Sequence, residues 1–466
     1  MRLGQTPPVD LLFTCNEVAM PNSRRWLGKG DRRVLALTVP IILSNATVPL
    51  LGAVDTAVVG HLDSPHYIGA VAIGALIFSY VFWSFGFLRM ATTGLAAQAA
   101  GRRDACEVRA VFARGALIAL VAGLLVMVLQ WPIVELAMRL IAPSSDVEAA
   151  ARDYFHVRIW ASPATLMQYC MLGWLLAMRD SRAVFIFQVV LNSLNIILDI
   201  LFVQGFGWDV RGVAGATVIA DYSGVVLGWF LMQPHLARLG GRWRDVALFD
   251  RIQLLCLMKV NGDIFIRTLA LTSAFALFTS FSARFGEVTL AANAVLQNFL
   301  MFGSFALDGF AHAAETLVGQ AYGAERRKQF LWAVRKTTIW AVISACAMAL
   351  VFAVLGVPII DGLTSINDVR DAAYQYLPWA ILLPITGVLG FQFDGVFLGA
   401  MQTRHWRNMM LCSVALFAVF AWGAVVLNSN HALWAAFNLF FLLRGLTLAG
   451  LFPTIIPRNV ASFGKG

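Results

Sequence analysis

Apolar runs of 20 or more residues, broken by short polar loops, recur along the whole chain. They fall near 34–60, 68–97, 108–130, 152–178, 183–204 and 212–236, then near 255–283, 288–318, 329–356, 373–400, 405–427 and 431–452. About 20 apolar helical residues cross a bilayer core, whereas a transmembrane barrel would alternate polarity over segments of about ten. The pattern predicts an all-α integral membrane protein of twelve transmembrane helices.

The two sets of six also match in detail. At an offset of about 222 residues, Gln98-Ala99-Ala100-Gly101 matches Gln320-Ala321-Tyr322-Gly323, Tyr154 matches Tyr376, Gly173 matches Gly395 and Arg182 matches Arg404. An even number of spans per repeat gives both halves one orientation. Two six-helix lobes related by a pseudo-two-fold axis along the membrane normal are therefore expected. The expected divisions are a leader over 1–33, an N-lobe over 34–236, a linker over 237–254, a C-lobe over 255–452 and a tail over 453–466.

Composition agrees with the pattern: 59% of the 466 residues are hydrophobic and 13% charged, against about 25% charged in soluble domains. The excess of 35 Lys+Arg over 26 Asp+Glu sits in short loops, including Arg102-Arg103, Arg179 to Arg182, Arg326-Arg327-Lys328 and Arg404 to Arg407. That is the positive-inside arrangement rather than a nucleic-acid surface. It places both termini in the cytoplasm and the chain in the inner membrane. No h-region precedes the first span, so residues 1–33 read as a cytoplasmic leader and not a cleavable signal. The six cysteines are scattered without metal-ligand spacing and read as small apolar filler.

Against this background, charge inside a span is informative. Asp55 lies within TVPIILSNATVPLLGAVDTAVVG; an ionised Asp at a helix centre costs roughly 3 kcal/mol or more, so it calls for water, a cation or a proton. Asn195 and Asp199 share a helix face in LNSLNIILDILFV, and Thr217 sits early in the sixth span. Two carboxylates, an amide and a hydroxyl suit a shared proton or an all-oxygen Na⁺ site; Asn195 and Thr217 can equally serve as helix glue. Pro40 and Pro49 precede Asp55 on its own span and give it a bending point. In the second half, Asp263 and Arg267 are spaced as an ion pair on one helix. Asp308, His312 and Glu315 share a face of LDGFAHAAETLVG, and Asp394 on the tenth span is placed to join them. They read as a structural network, a proton relay or a lining for cationic substrate. Arg89 is a lone cation in the second span, placed either to pair across the lobes or to snorkel. Aromatic and Met residues such as Phe78, Trp83, Met171, Phe299 and Met301 are packing, or an adaptable cavity for flat lipophilic cations.

These residues together resemble the multidrug and toxic compound extrusion (MATE) family, in particular its DinF-type branch, over about 32–455. VDTAVVGHLDSPHYIGAVAIG, FLRMATTGLAAQAAG and ALDGFAHAAETLVGQAYGA carry the resemblance. It implies a V-shaped monomeric exporter of small cationic or amphipathic compounds, driven by H⁺ or Na⁺ entry, with no cofactor. By resemblance Asp55, Asn195, Asp199 and Thr217 form the ion-coupling site and Pro40 the bend linked to protonation. The NorM-type branch is matched at Asp394 but carries a glutamate on the seventh helix, where this chain is apolar around Ala270. The NorM-type C-lobe cation site is thus incomplete, which favours the N-lobe site and proton coupling.

Two other readings compete. A lipid or lipid-linked-precursor flippase on the same fold would want a strongly cationic cavity, and chiefly Arg89 and Arg267 stand inside the spans. An intramembrane aspartyl protease would want Gly-x-Gly-Asp within a span, which is absent; the Gly28-Lys29-Gly30-Asp31 match lies in the leader. No P-loop occurs, so this chain alone is not an ATP-driven pump.

Overall fold

A computed structural model describes residues 28–59, 64 and 66–457, without the side chains of residues 29, 48–51, 53, 55–57, 59 and 245. Among the described residues every regular element is helical. The first half contains α1 (Lys29–Val59), α2 (His66–Ser84), α3 (Phe87–Gly101), α4 (Ala105–Val128), α5 (Gln130–Ile141), α6 (Ser145–Arg158), α7 (Ser162–Ala177), α8 (Ser181–Asp199) and α9 (Asp209–Leu239). The second contains α10 (Arg251–Ser282), α11 (Glu287–Gly323), α12 (Arg327–Leu363), α13 (Asn367–Gly399), α14 (Thr403–Val426) and α15 (Asn430–Ile455). Ten helical stretches among the described residues are long and apolar enough to cross a membrane, with α2 and α3 counted as one. The other two of the twelve spans are α1 and the α6–α7 pair.

The sequence pattern predicted unbroken spans over 68–97 and 152–178, and both are interrupted. At the first, the N–H groups of Phe85 and Gly86 bond to carbonyls three residues back, at 2.9 and 3.1 Å, which tightens the turn between α2 and α3. At the second, a 3₁₀ turn over Ile159–Ala161 joins α6 to α7 just ahead of Pro163, which lacks an N–H. The third span continues past Leu129 into α5, an addition to the expected elements; Pro132 in its first turn removes a donor that would have continued α4.

The repeat is visible in the helix limits. Lys29 and Arg251, Ala105 and Arg327, Ser145 and Asn367, and Ser181 and Thr403 each open helices 222 residues apart. The α4–α5 pair and the single helix α12 therefore cover equivalent segments. Helix ends repeat too: Arg103 and Glu325 turn with φ of 61° and 55°, and Arg179 and Met401 with 63° and 55°. All four are non-glycine residues in the left-handed region, a conformation that costs energy at each. Within the first half α7 crosses α3 where a Cβ on Gly173 would stand 2.4 Å from the Arg89 carbonyl oxygen. Within the second, α13 crosses α11 where a Cβ on Gly395 would stand 2.1 Å from that of Ala311.

The halves meet at the end that carries the basic loops, chiefly through α3 and α11. The Gln98 side chain donates to the Gly399 carbonyl at 3.0 Å, and the Gln320 side chain to the Ala177 carbonyl at 2.7 Å. Donors and acceptors are related by the same 222-residue offset, so the two bonds form a reciprocal clasp. Side-chain Cβ atoms at Gly101 and Gly323 would lie 2.2 and 2.1 Å from the carbonyl oxygens of Gln320 and Gln98. The repeated Gln-Ala-x-Gly motif is thus the crossing of α3 and α11. Equivalent cations on α12 and α4 make further contacts, to different acceptors. Lys336 on α12 binds Asp31 at the start of α1 at 2.8 Å, and Trp340 Nε1 binds the same carboxylate at 3.2 Å. The equivalent Arg114 on α4 donates to the Ala247 carbonyl, in the segment entering α10, at 2.8 Å.

Candidate functional site

The first cluster is built by α8 and α9. Asn195 and Asp199 stand one turn apart on α8, and Asp199 is fully buried, with 0% exposure. Its helix then changes to a π-helical segment over Ile200–Gly205, a rare form concentrated at functional sites. Thr217 comes from the third turn of α9, where its hydroxyl donates to the Val213 carbonyl at 2.9 Å. Asn195 bridges the two: with its amide nitrogen towards the carboxylate it donates to Asp199 Oδ2 at 3.2 Å, and its oxygen accepts from the Thr217 N–H at 3.2 Å. One helical turn before Asn195, Asn192 donates to Thr47 Oγ1 on α1 at 2.9 Å. That contact anchors α8 to the helix carrying Asp55. The side chain of Asp55, like that of Pro49, lies outside the described residues; its backbone belongs to α1, which runs without interruption through the half-buried Pro40.

This arrangement offers a buried carboxylate, an amide oxygen or nitrogen and a hydroxyl within one small volume. Such a set can hold a proton on Asp199 or accept a hard cation through oxygen.

The C-half residues do not form the single network expected from sequence. Asp263 and Arg267 are not each other's partners. Asp263 instead binds Arg407 at 2.5 Å and accepts from Thr403 Oγ1 at 2.9 Å, both on α14. Residues four apart on α10 find separate partners here because α14 and α13 each bring a group of opposite charge within reach. Arg267 reaches Asp394 on α13, as does Arg444 on α15, and Trp406 Nε1 donates to the other oxygen at 2.7 Å. The Arg267 guanidinium also lies 4.5 Å from the Trp406 ring centroid, and that of Arg444 5.0 Å from Phe391. Asp394 is consequently held by two cations and an indole rather than joined to Asp308, His312 and Glu315.

Those three remain on one face of α11, and Arg89 reaches them from α3 in the other half. Its Nη1 is 3.4 Å from His312 Nδ1, and the same ring nitrogen is 3.4 Å from Glu315 Oε2. Glu315 is 1% exposed. Of the two placements open to Arg89 in the sequence, the one across the lobes is observed.

Two buried groups, Arg444 and Asp221, and the half-buried Arg158 escaped the sequence reading. Arg444 is 2% exposed in the apolar run FLLRGLTLAG. Asp221 on α9 accepts from Arg158 at 3.1 Å, Thr165 at 2.7 Å and Gln168 at 3.2 Å, a saturated carboxylate that pins α6 and α7 to α9. The rule that singled out Asp55, a charge within an apolar span, applies equally to Arg444, Arg158 and Asp221.

Comparison with known proteins agrees with this architecture. The model of the MatE family matches residues 40–201 and 264–422. The DNA damage-inducible protein F of Escherichia coli K12 is 40% identical over 426 residues, covering 91% of this chain and 93% of that protein. A probable multidrug resistance protein NorM of Deinococcus radiodurans is 27% identical, over 90% of this chain and 93% of its own. Among solved structures, MATE in the bent conformation superposes with a TM-score of 0.83 at 17% identity, over 92% of this chain and 97% of that one. MATE in the straight conformation gives 0.81 at 18% identity, over 97% and 99%.

Proposed function

Because this chain belongs to the MatE family of multidrug and toxic compound transporters, and is no enzyme, we propose that it exports small cationic or amphipathic organic compounds in exchange for protons. The observation that carries the reading is the fully buried Asp199 with Asn195 and Thr217, placed within the spans of one half and tied through Asn192 and Thr47 to the helix of Asp55. A charged carboxylate there is costly, so binding a proton, or an alkali cation, changes the energy of the site strongly. Exchange requires that proton and substrate favour different arrangements of the two halves. Protonated Asp55 and Asp199 favour substrate release outside; the deprotonated pair favours substrate binding. Pro40 lies on the way from the α1 entrance to Asp55 and, lacking a backbone N–H, is the point at which that helix would bend on protonation. The basic end, where the glutamine clasp closes the halves, is the cytoplasmic face of the inner membrane, with both termini on that side. The chain works as a monomer among membrane lipids and needs no cofactor. Na⁺ is the alternative coupling ion, since the same oxygen ligands serve both.

The test is transport by purified protein in proteoliposomes with a pH or a Na⁺ gradient imposed separately. Efflux of a lipophilic cation should follow the pH gradient, and Asp199→Asn should abolish it. Efflux that follows Na⁺ and ignores pH overturns proton coupling; full exchange by Asp199→Asn overturns the site.

A further inference from the structure

The internal repeat slips by one residue along a single helix. α8 and α14 open 222 residues apart, at Ser181 and Thr403. Their ends lie 221 apart: Phe206 and Leu427 cap them, and Gly207 and Asn428 follow with φ of 68° and 49°. Trp208 and Ser429, again 221 apart, then precede α9 and α15. With its π-helical continuation to Gly205 the first-half helix has 25 residues, and α14 has 24. The extra residue therefore lies inside the helix and not in the loop. At the end of α14 the Leu427 N–H bonds to the Gly423 carbonyl, four residues back, at 3.0 Å. In the first half the Phe206 N–H bonds to the Leu201 carbonyl, five back, at 3.1 Å. A turn closed over five residues instead of four takes up one inserted residue while both flanks keep their faces.

The place of this wide turn matters, because it begins at Ile200, directly after Asp199. Asp199 is sealed from water, yet a carboxylate that takes up an ion must be reached by one. Moving the wide turn back by one helical turn, ahead of Asp199, leaves both flanks where they stand. Each residue between the two placements then takes the place of its predecessor. Asp199 turns by about 100° and slides by about 1.5 Å, into the place now held by the half-buried Leu198. That withdraws it from the Asn195 amide and puts the apolar Ile200 in its stead. Ile200 and Leu201, which move with it, are exposed apolar side chains, so the slide disturbs little buried packing.

We propose that the inserted residue makes the wide turn a positioning device for Asp199. The turn shuttles between Ile200–Gly205 and the helical turn before it. In the first placement Asp199 is closed in beside Asn195; in the second it stands where an ion reaches it. Register shifts of this kind run in microseconds to milliseconds, fast enough to serve each transport cycle. The equivalent stretch of α14 has no inserted residue and no wide turn, and it carries no carboxylate to deliver. The inference rests on the reading of Asp199 as a coupling residue and adds the route by which its ion enters.

The test is access to position 199. Full-length protein with its six cysteines replaced and carrying Asp199→Cys should react with a water-soluble methanethiosulfonate. Deleting Leu201, which leaves a helix of the length of α14, should slow that reaction at least about tenfold without lowering the thermal unfolding midpoint. In the otherwise native chain the same deletion should slow pH-driven ethidium efflux from proteoliposomes at least about tenfold and leave ethidium binding in detergent intact. Hydrogen exchange of the wild type carries the test if the shortened chain does not fold. The amides of 201–206 should exchange at least about tenfold faster than those of 422–427 on α14. Equal exchange in the two segments, or either labelling or efflux indifferent to the deletion, overturns the positioning device and leaves Asp199 as a coupling residue. Full efflux by Asp199→Asn overturns the reading beneath it.

Discussion

At the scale of single residues, the chain divides its charged groups into those with fixed partners and those left with a choice. Asp221 and Asp394 accept from three donors each and are structural. Asp31, outside the membrane-spanning part of α1, is likewise fixed: the hydrogen bond from Lys336 holds its carboxyl below the ordinary range, helped by Trp340 and opposed by burial. A carboxyl with a lowered value in the folded state contributes stability above its ordinary range and loses it as pH falls through the lowered value. Lys336→Met should therefore lower the thermal unfolding midpoint at neutral pH. The gap from wild type should close as pH drops below about 4. A gap independent of pH would show that the pair does not act through Asp31. Much of the residue chemistry was legible in the sequence, because a charge in an apolar run advertises itself. Partner choice was not. Asp263 and Arg267 have helix-pair spacing, but their real partners lie 144 and 127 residues away on α14 and α13, and periodicity on one helix says nothing about what the neighbouring helices bring.

Between elements, spacing rather than charge decides. The spans were readable from apolarity to within a few residues at most of their ends. The breaks at Phe85-Gly86 and Ile159–Ala161 were not, because an interrupted helix is as apolar as a continuous one. The glycines at helix crossings have a plain physical role. At Gly395 a Cβ would stand 2.1 Å from a backbone oxygen that cannot swing aside. Gly395→Ala should push α13 off α11 and cost about 1–3 kcal/mol, seen as an earlier thermal unfolding transition in detergent. Gly423→Ala on α14, where nothing lies within 4 Å, is the control; equal effects from both would refute the close-approach account.

For the whole molecule, the internal repeat is most consequential where the halves touch. Each glutamine of the clasp contributes about 0.5–1.5 kcal/mol, so losing both moves a two-state balance by roughly 1–3 kcal/mol. Gln98→Ala with Gln320→Ala should shift the population towards the arrangement open at the basic end. Spin labels at Arg103 and Glu325, which are equivalent positions beside the clasp, would report a longer distance fraction at least about fivefold more populated. Unchanged distance distributions would show that the closure is held elsewhere. The motif was legible as a repeat, but its meaning as a reciprocal contact needed the fold, since each glutamine donates to a carbonyl of the other half.

The contact between Asp31 and Lys336 also constrains the birth of the protein. The two residues are 305 positions apart. At a synthesis rate of about 5–20 residues per second, Asp31 waits roughly 15–60 s for its partner to leave the ribosome. Until α10 and α11 have been made, the first helix, with its proline and its costly aspartate, has only its own half to lean on. Its entrance is seated last, after a helix of the other half has been made, so the earliest segment to enter the membrane is among the latest to reach its final place.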